Sequence, residues 1–136
     1  VVFFKLIDDI RHINMSPLTK LRHYVEALSK IQETNPESIP LICRELLAPQ
    51  PIFEKFVKNK LYALHQFMTE LVEQAIECKE IHTDIKPTHV AFTIESTIMF
   101  FFLTQHQVQE LGNYAPGEQG IYLTQVLETY LASLSK

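Results

Sequence analysis

The sequence predicts an all-α domain, a bundle of about six helices. Three observations carry this. Only three of the 136 residues are glycine, and all three fall between positions 112 and 120. Period-two alternation of β-branched residues is absent. Apolar residues instead recur at i, i+3 and i+4 in one segment after another, which places them on one side of a helix.

Each element has its own start and stop. Val1 to about Ile13 reads as a helix already in progress, with Phe3, Phe4, Leu6, Ile7 and Ile10 apolar. Ser16 as N-cap with Pro17 at the first helical position opens a second helix to about Glu33, whose inner face is Leu21, Tyr24, Val25, Leu28 and Ile31. Asn35-Pro36 ends it, because the residue before proline avoids the helical region. A short helix from about Ser38 to Leu47 carries Ile39, Leu41, Ile42, Leu46 and Leu47. Its early Pro40 is tolerated because first-turn N–H groups lack intrahelical partners. After the break at Ala48-Pro49-Gln50-Pro51, the longest helix runs from Pro51 to about Lys79 and forms the spine, with a wide apolar face from Phe53 to Ile76. A loop from Glu80 to Lys86 leads into one Phe-rich helix from Pro87 to about Leu111. The loop Gly112 to Gly117 precedes a last helix, lined on one side by Leu123, Val126, Leu127, Tyr130, Leu131 and Leu134.

The stretch HVAFTIESTIMFFFL from His89 to Leu103 is apolar most of the way round. Val90, Ile94, Ile98 and Phe101 form one stripe; Phe92, Met99 and Phe102, with the small residues Ala91, Ser96 and Thr97, form another. A helix of this kind must be covered on several sides. A second copy of the chain is the expected cover, since obligate homodimer interfaces resemble a domain core cut in half. An ordinary central core helix is the alternative. A membrane span is not expected, because the uninterrupted apolar run from Ile98 to Leu103 is far below the roughly 20 residues a span needs.

Composition excludes several functions. The net charge is −4 and the Lys and Arg residues are scattered, so the chain by itself lacks a basic face for a phosphate backbone. Cys43 and Cys78 lie on helices in no CxxC arrangement, which reads as reduced, buried thiols in a cytoplasmic protein. No signal peptide is visible, and the chain begins at Val1 in mid-pattern, which reads as a piece with its front missing. His82 and His89 are separated by a proline-containing turn, and there is no HExxH, zinc-spaced Cys/His cluster, phosphate loop or GxSxG. No metal, no cofactor and no enzymatic activity are expected.

The block RELLAPQPIFEKFV from Arg44 to Val57, the turn IHTDIKPTHVAFTI from Ile81 to Ile94 and the MFFFL of Met99 to Leu103 carry a family resemblance. In the order of its elements the chain resembles the C-terminal half of TetR-type (tetracycline-repressor-like) transcriptional regulators. The family's N-terminal helix-turn-helix is nowhere in these residues. The resemblance implies that residues 1–15 are part of the helix connecting to a missing DNA-binding domain, and that residues 16–136 are a ligand-binding and dimerisation domain. It further implies a repressor released by a small hydrophobic effector, a homodimer through the last two long helices, and operator DNA bound only through the missing domain. The other reading of the residues is a helical protein-interaction module without a small-molecule pocket.

Effector sites are apolar cavities with a few orienting polar groups, so the candidates are polar side chains on otherwise apolar faces. Tyr24, Tyr62, His65 and Glu95 qualify, with Leu28, Ile42, Leu46, Leu61, Leu64, Met68 and Phe92 as walls. Met99, Phe53 and Phe67 suit the same wall or a plain core. Glu95 is either a ligand group or one half of a structural pair with Arg44 or a lysine. The expected dimer seam is Ile98, Phe101, Phe102, Gln105, Leu123, Leu127, Tyr130 and Leu131, with His106 near it or on its rim.

Overall fold

The structure is a computed structural model that describes residues 2–34, 37–48, 51, 58–118 and 120–134; within these, the side chains of residues 2–4, 32–33, 38–39, 42, 45–46, 58 and 60 lie outside the description. The described residues are all-helical with no strand. The helices are α1 (Val2–Arg11), α2 (Pro17–Thr34), α3 (Ser38–Leu47), α4 (Lys58–Glu77), α5 (Pro87–Leu103), α6 (Gln105–Leu111) and α7 (Gly120–Ser133). The expected start of the spine helix, including Phe53 and Phe56, lies outside the described residues.

The start of α2 accounts for each of its early donors. Pro17 has no N–H, the Leu18 N–H donates to Glu80 Oε1 at 3.3 Å, and the Thr19 N–H donates to Ser16 Oγ at 3.3 Å. Ser16 is therefore the N-cap its position predicts. Glu80 reaches α2 because α4 ends in a left-handed residue, Lys79 (φ 62°). There the Glu80 N–H donates to the Ala75 carbonyl and the Lys79 N–H to the Ile76 carbonyl, the paired bonds of a Schellman motif. The C-cap of one helix thus supplies the side chain that caps another.

The Phe-rich segment is two helices, where periodicity alone predicts one. It breaks at Thr104 (φ −118°, ψ 19°), whose N–H donates to the carbonyls of Phe100 and Phe101. The Thr104 hydroxyl bonds back to the Phe100 carbonyl at 2.7 Å, a local bond that competes with helix continuation.

Helix α5 is central, touching α3, α4, α6 and α7, while α2 packs on α1 and α4. The core joins Ile7 and Ile10 of α1, Leu21, Tyr24 and Leu28 of α2, and Phe67, Met68 and Leu71 of α4. To these α5 adds Val90, Ala91, Ile94, Ile98, Phe101 and Phe102, and α7 adds Leu123, Leu127 and Leu131. Two expectations are corrected here. Ile98, Phe101, Phe102, Leu123, Leu127 and Leu131 are not surplus apolar surface for a second copy, because the domain's own core buries them. They are consumed because α5 lies in the middle of the bundle, with neighbours on most of its circumference. Gln105 and Tyr130 are half-buried and His106 is exposed. Cys78 is exposed at the end of α4, so only Cys43 is the buried thiol expected of both; its Sγ lies 3.7 Å from Met99 Sδ.

Candidate functional site

A cavity of about 390 Å³ opens between α2, α4 and α5, lined by Tyr24, Leu28, Leu61, Tyr62, Leu64, His65, Met68, Phe92, Glu95, Ser96, Ile98 and Met99. Nine of the eleven residues expected at an effector site, Tyr24, Leu28, Leu61, Tyr62, Leu64, His65, Met68, Phe92 and Glu95, stand on this wall. The side chains of the other two, Ile42 and Leu46, lie outside the described residues. Helix α3, which carries them, packs on α5 beside Met99. Ile98, expected at the dimer seam, lines the cavity.

The polar end of the cavity is a fixed cluster. His65 Nδ1 sits 2.8 and 2.7 Å from the two carboxylate oxygens of Glu95, and an ionised carboxylate only accepts, so this nitrogen carries the hydrogen. His65 Nε2 lies 2.7 Å from Thr88 Oγ1. The Thr69 hydroxyl donates to the His65 carbonyl at 2.9 Å. Phe92, four residues back from Ser96 on the cavity side of α5, stacks on the imidazole with ring centroids 4.3 Å apart and planes 22° apart. The ring is held on both nitrogens and one face, so its orientation is set before anything binds.

Glu95 therefore pairs with His65, and not with Arg44, which instead reaches Glu37 at 3.8 Å on the surface. Burial pushes the Glu95 carboxyl above its ordinary value, and the hydrogen bond and charge of His65 oppose that rise without cancelling it. The Tyr24 phenol is also pushed up, by burial first and by the charge of Glu95 second. Tyr24 is only 5 % exposed, and among the described residues its hydroxyl has no hydrogen-bond partner. A buried hydroxyl without a partner is costly, on the order of 1–3 kcal/mol. It is the kind of group a bound molecule satisfies.

Thr88 and Thr69 were not among the expected members of this cluster. Thr69 follows His65 by four residues, a spacing that places both on one helix face and gave a usable signal. Thr88 comes from the next helix, and nothing in the sequence pairs it with His65.

The face of α5 and α7 turned away from the core is different in character. It presents Thr93, Ser96, Thr97, Thr129 and Ser133 around the larger Phe100, Leu103 and Tyr122. Two shallow grooves run along it, one bounded by Thr97, Phe100, Thr104, Val108, Tyr122 and Val126, the other by Gln125, Val126, Thr129, Tyr130 and Ser133. Phe100 is 67 % exposed. No described helix is long and apolar enough to cross a membrane.

Neither a curated protein nor a solved structure gives a match to the chain. The family described as HTH-type transcriptional dual regulator CecR, C-terminal domain, matches residues 17–133, from the first residue of α2 to the last of α7. The chain belongs to that family, and is the C-terminal, regulatory-type domain of a TetR-family transcriptional regulator.

Proposed function

We propose that this domain binds a small, largely hydrophobic effector in the α2–α4–α5 cavity and transmits its presence to a DNA-reading domain joined through α1. The observation that carries the reading is the pairing of an apolar cavity of about 390 Å³ with one pre-oriented polar cluster and one unsatisfied buried hydroxyl. That size and make-up fall within the usual range of small-molecule sites.

The route from the effector to α1 is indirect, since no described α1 residue lines the cavity. Tyr24 meets Phe67 edge to face with ring centroids 5.6 Å apart. The Arg11 guanidinium at the end of α1 lies 5.3 Å from the Phe67 centroid and pairs with Glu70 at 3.2 Å. A ligand on Tyr24 is thus two packed side chains from the helix we read as the connector. It acts as a switch only by preferring one of two arrangements of that helix. Release of a repressor is the mode of action that the family resemblance implies.

Such a regulator works as a symmetric dimer, so that its two reading heads match two half-sites. The surface that suits a second copy is the outer α5–α7 face with Phe100, Leu103, Tyr122 and Val126, whose surrounding Thr and Ser residues let helices approach closely.

Thermal denaturation against a panel of hydrophobic small molecules tests the reading. A true effector at about 100 times its Kd adds about 2.7 kcal/mol of stability. His65→Ala is expected to remove that shift while leaving the unliganded fold and the dimer in place. No shift across the panel leaves the protein-interaction module as the better reading.

A further inference from the structure

The charge of the cavity narrows what it holds. No lysine or arginine lines it among the described residues, whereas one carboxylate does. An anionic occupant would meet Glu95 with only His65, already paired to that carboxylate, to set against two negative charges among the described lining residues, in a setting where burial already disfavours one. The carboxylate has further capacity as an acceptor. Its two oxygens offer about four lone-pair sites, and a single imidazole N–H uses them from the His65 side. The Tyr24 oxygen, buried and with no hydrogen-bond partner among the described residues, is a second acceptor on the same cavity wall. The rings of Phe92 and Tyr62, both largely exposed, stand on the same wall with π-faces that attract a cation.

Building on the effector-site reading above, we infer that the cavity takes a small lipophilic amine in its protonated form, with the ammonium N–H groups on Glu95 and Tyr24 and the apolar body against Leu28, Leu64 and Met68. An ammonium brings up to three donors to a carboxylate that has acceptor capacity beyond its His65 bond and to the Tyr24 oxygen. A neutral molecule of the same shape satisfies the walls but gives the partly desolvated carboxylate no charged donor beyond His65. Shape fixes the body of the ligand; Glu95 fixes its charge.

The test uses three probes with one ring system at neutral pH: naphthylmethylamine, naphthylmethanol and naphthoate, titrated calorimetrically into the wild-type protein and into Glu95→Gln and Tyr24→Phe. The wild type is expected to bind the amine at least about tenfold more tightly than the alcohol, one favourable charged contact by the usual conversion, and to reject the naphthoate. Glu95→Gln is expected to bring the amine and the alcohol within about threefold of each other while the alcohol's affinity holds, and Tyr24→Phe to weaken the amine severalfold. The three-probe series in the wild type stands without either variant, and the melting of each variant without probe is measured first. Alcohol binding equal to or tighter than amine binding, or naphthoate binding at comparable strength, overturns the cationic class and leaves the cavity as an effector site. An amine preference that persists in Glu95→Gln also overturns it, as general attraction to an acidic protein. If none of the probes binds and no neutral compound in the thermal panel does either, this inference and the effector reading fall together.

Discussion

At Glu95 the balance between burial and pairing can be read directly from pH. Its carboxyl is raised on folding, so the native state holds that proton more tightly than the unfolded chain does. The stability it contributes is full below the ordinary carboxylate value and is lost as pH rises through the raised one. Melting of the wild type relative to Glu95→Gln, scanned from about pH 4 to about pH 8, is expected to fall through that window and then level. A difference that instead grows with pH would mean that the His65 pair outweighs burial. The thiols separate on similar grounds. Cys43 is buried and its thiol is pushed up by desolvation, which keeps it protonated, whereas Cys78 is exposed. Since the thiolate is the reactive form, one fast and one slow thiol are expected on alkylation of the native protein, with the fast one removed by Cys78→Ser. Two fast thiols would mean that α3 is not packed on α5 as described.

At the scale of the element, the α4–α2 junction is the most testable local design. Ser16→Ala removes one cap from α2 and is expected to cost about 1 kcal/mol in urea unfolding. Lys79 occupies the left-handed position of a Schellman motif that glycine fills at lower cost. Lys79→Gly is therefore expected to stabilise the domain by up to about 1 kcal/mol. Loss of stability there would show that the Lys79 side chain, or the chain entropy it removes from the unfolded state, outweighs the backbone strain. The break at Thr104 belongs to the same scale. Apolar periodicity would continue the helix there, while the backbone leaves the helical region at Thr104 (φ −118°, ψ 19°).

For the whole molecule, burial redirects the search for a dimer interface. A charge at Phe101 or Leu127 falls in the domain's own core and is expected to unfold it, a burial cost of several kcal/mol. A charge at Phe100 falls on the exposed α5–α7 face. Phe100→Glu is expected to yield a monomer by light scattering while keeping the helical signal and melting of the isolated fold. A wild-type dimer from Phe100→Glu would mean that the copies meet elsewhere. The net charge of −4 opposes phosphate, so this chain by itself is expected to show no salt-sensitive binding to duplex DNA.

What the sequence determined is what depends on near neighbours: helix class, the N-cap at Ser16 and the inward faces of α2, α4 and α7. Those follow from spacing and from side chains a few residues apart, which one chain displays in full. The family was legible too, in the MFFFL block and the turn before it, and the family match over residues 17–133 agrees. The polar and apolar residues gathered on the cavity wall could be proposed from faces alone, because Tyr24, His65 and Glu95 each interrupt an apolar stripe. Periodicity could not decide which apolar stripe of α5 is covered by the domain itself and which is left outside. That depends on how many helices surround α5, a property of the assembled bundle. The same holds for Glu95: only the packing of α5 on α4 chose His65 over Arg44 as its partner, and only burial by several helices left the Tyr24 hydroxyl without one.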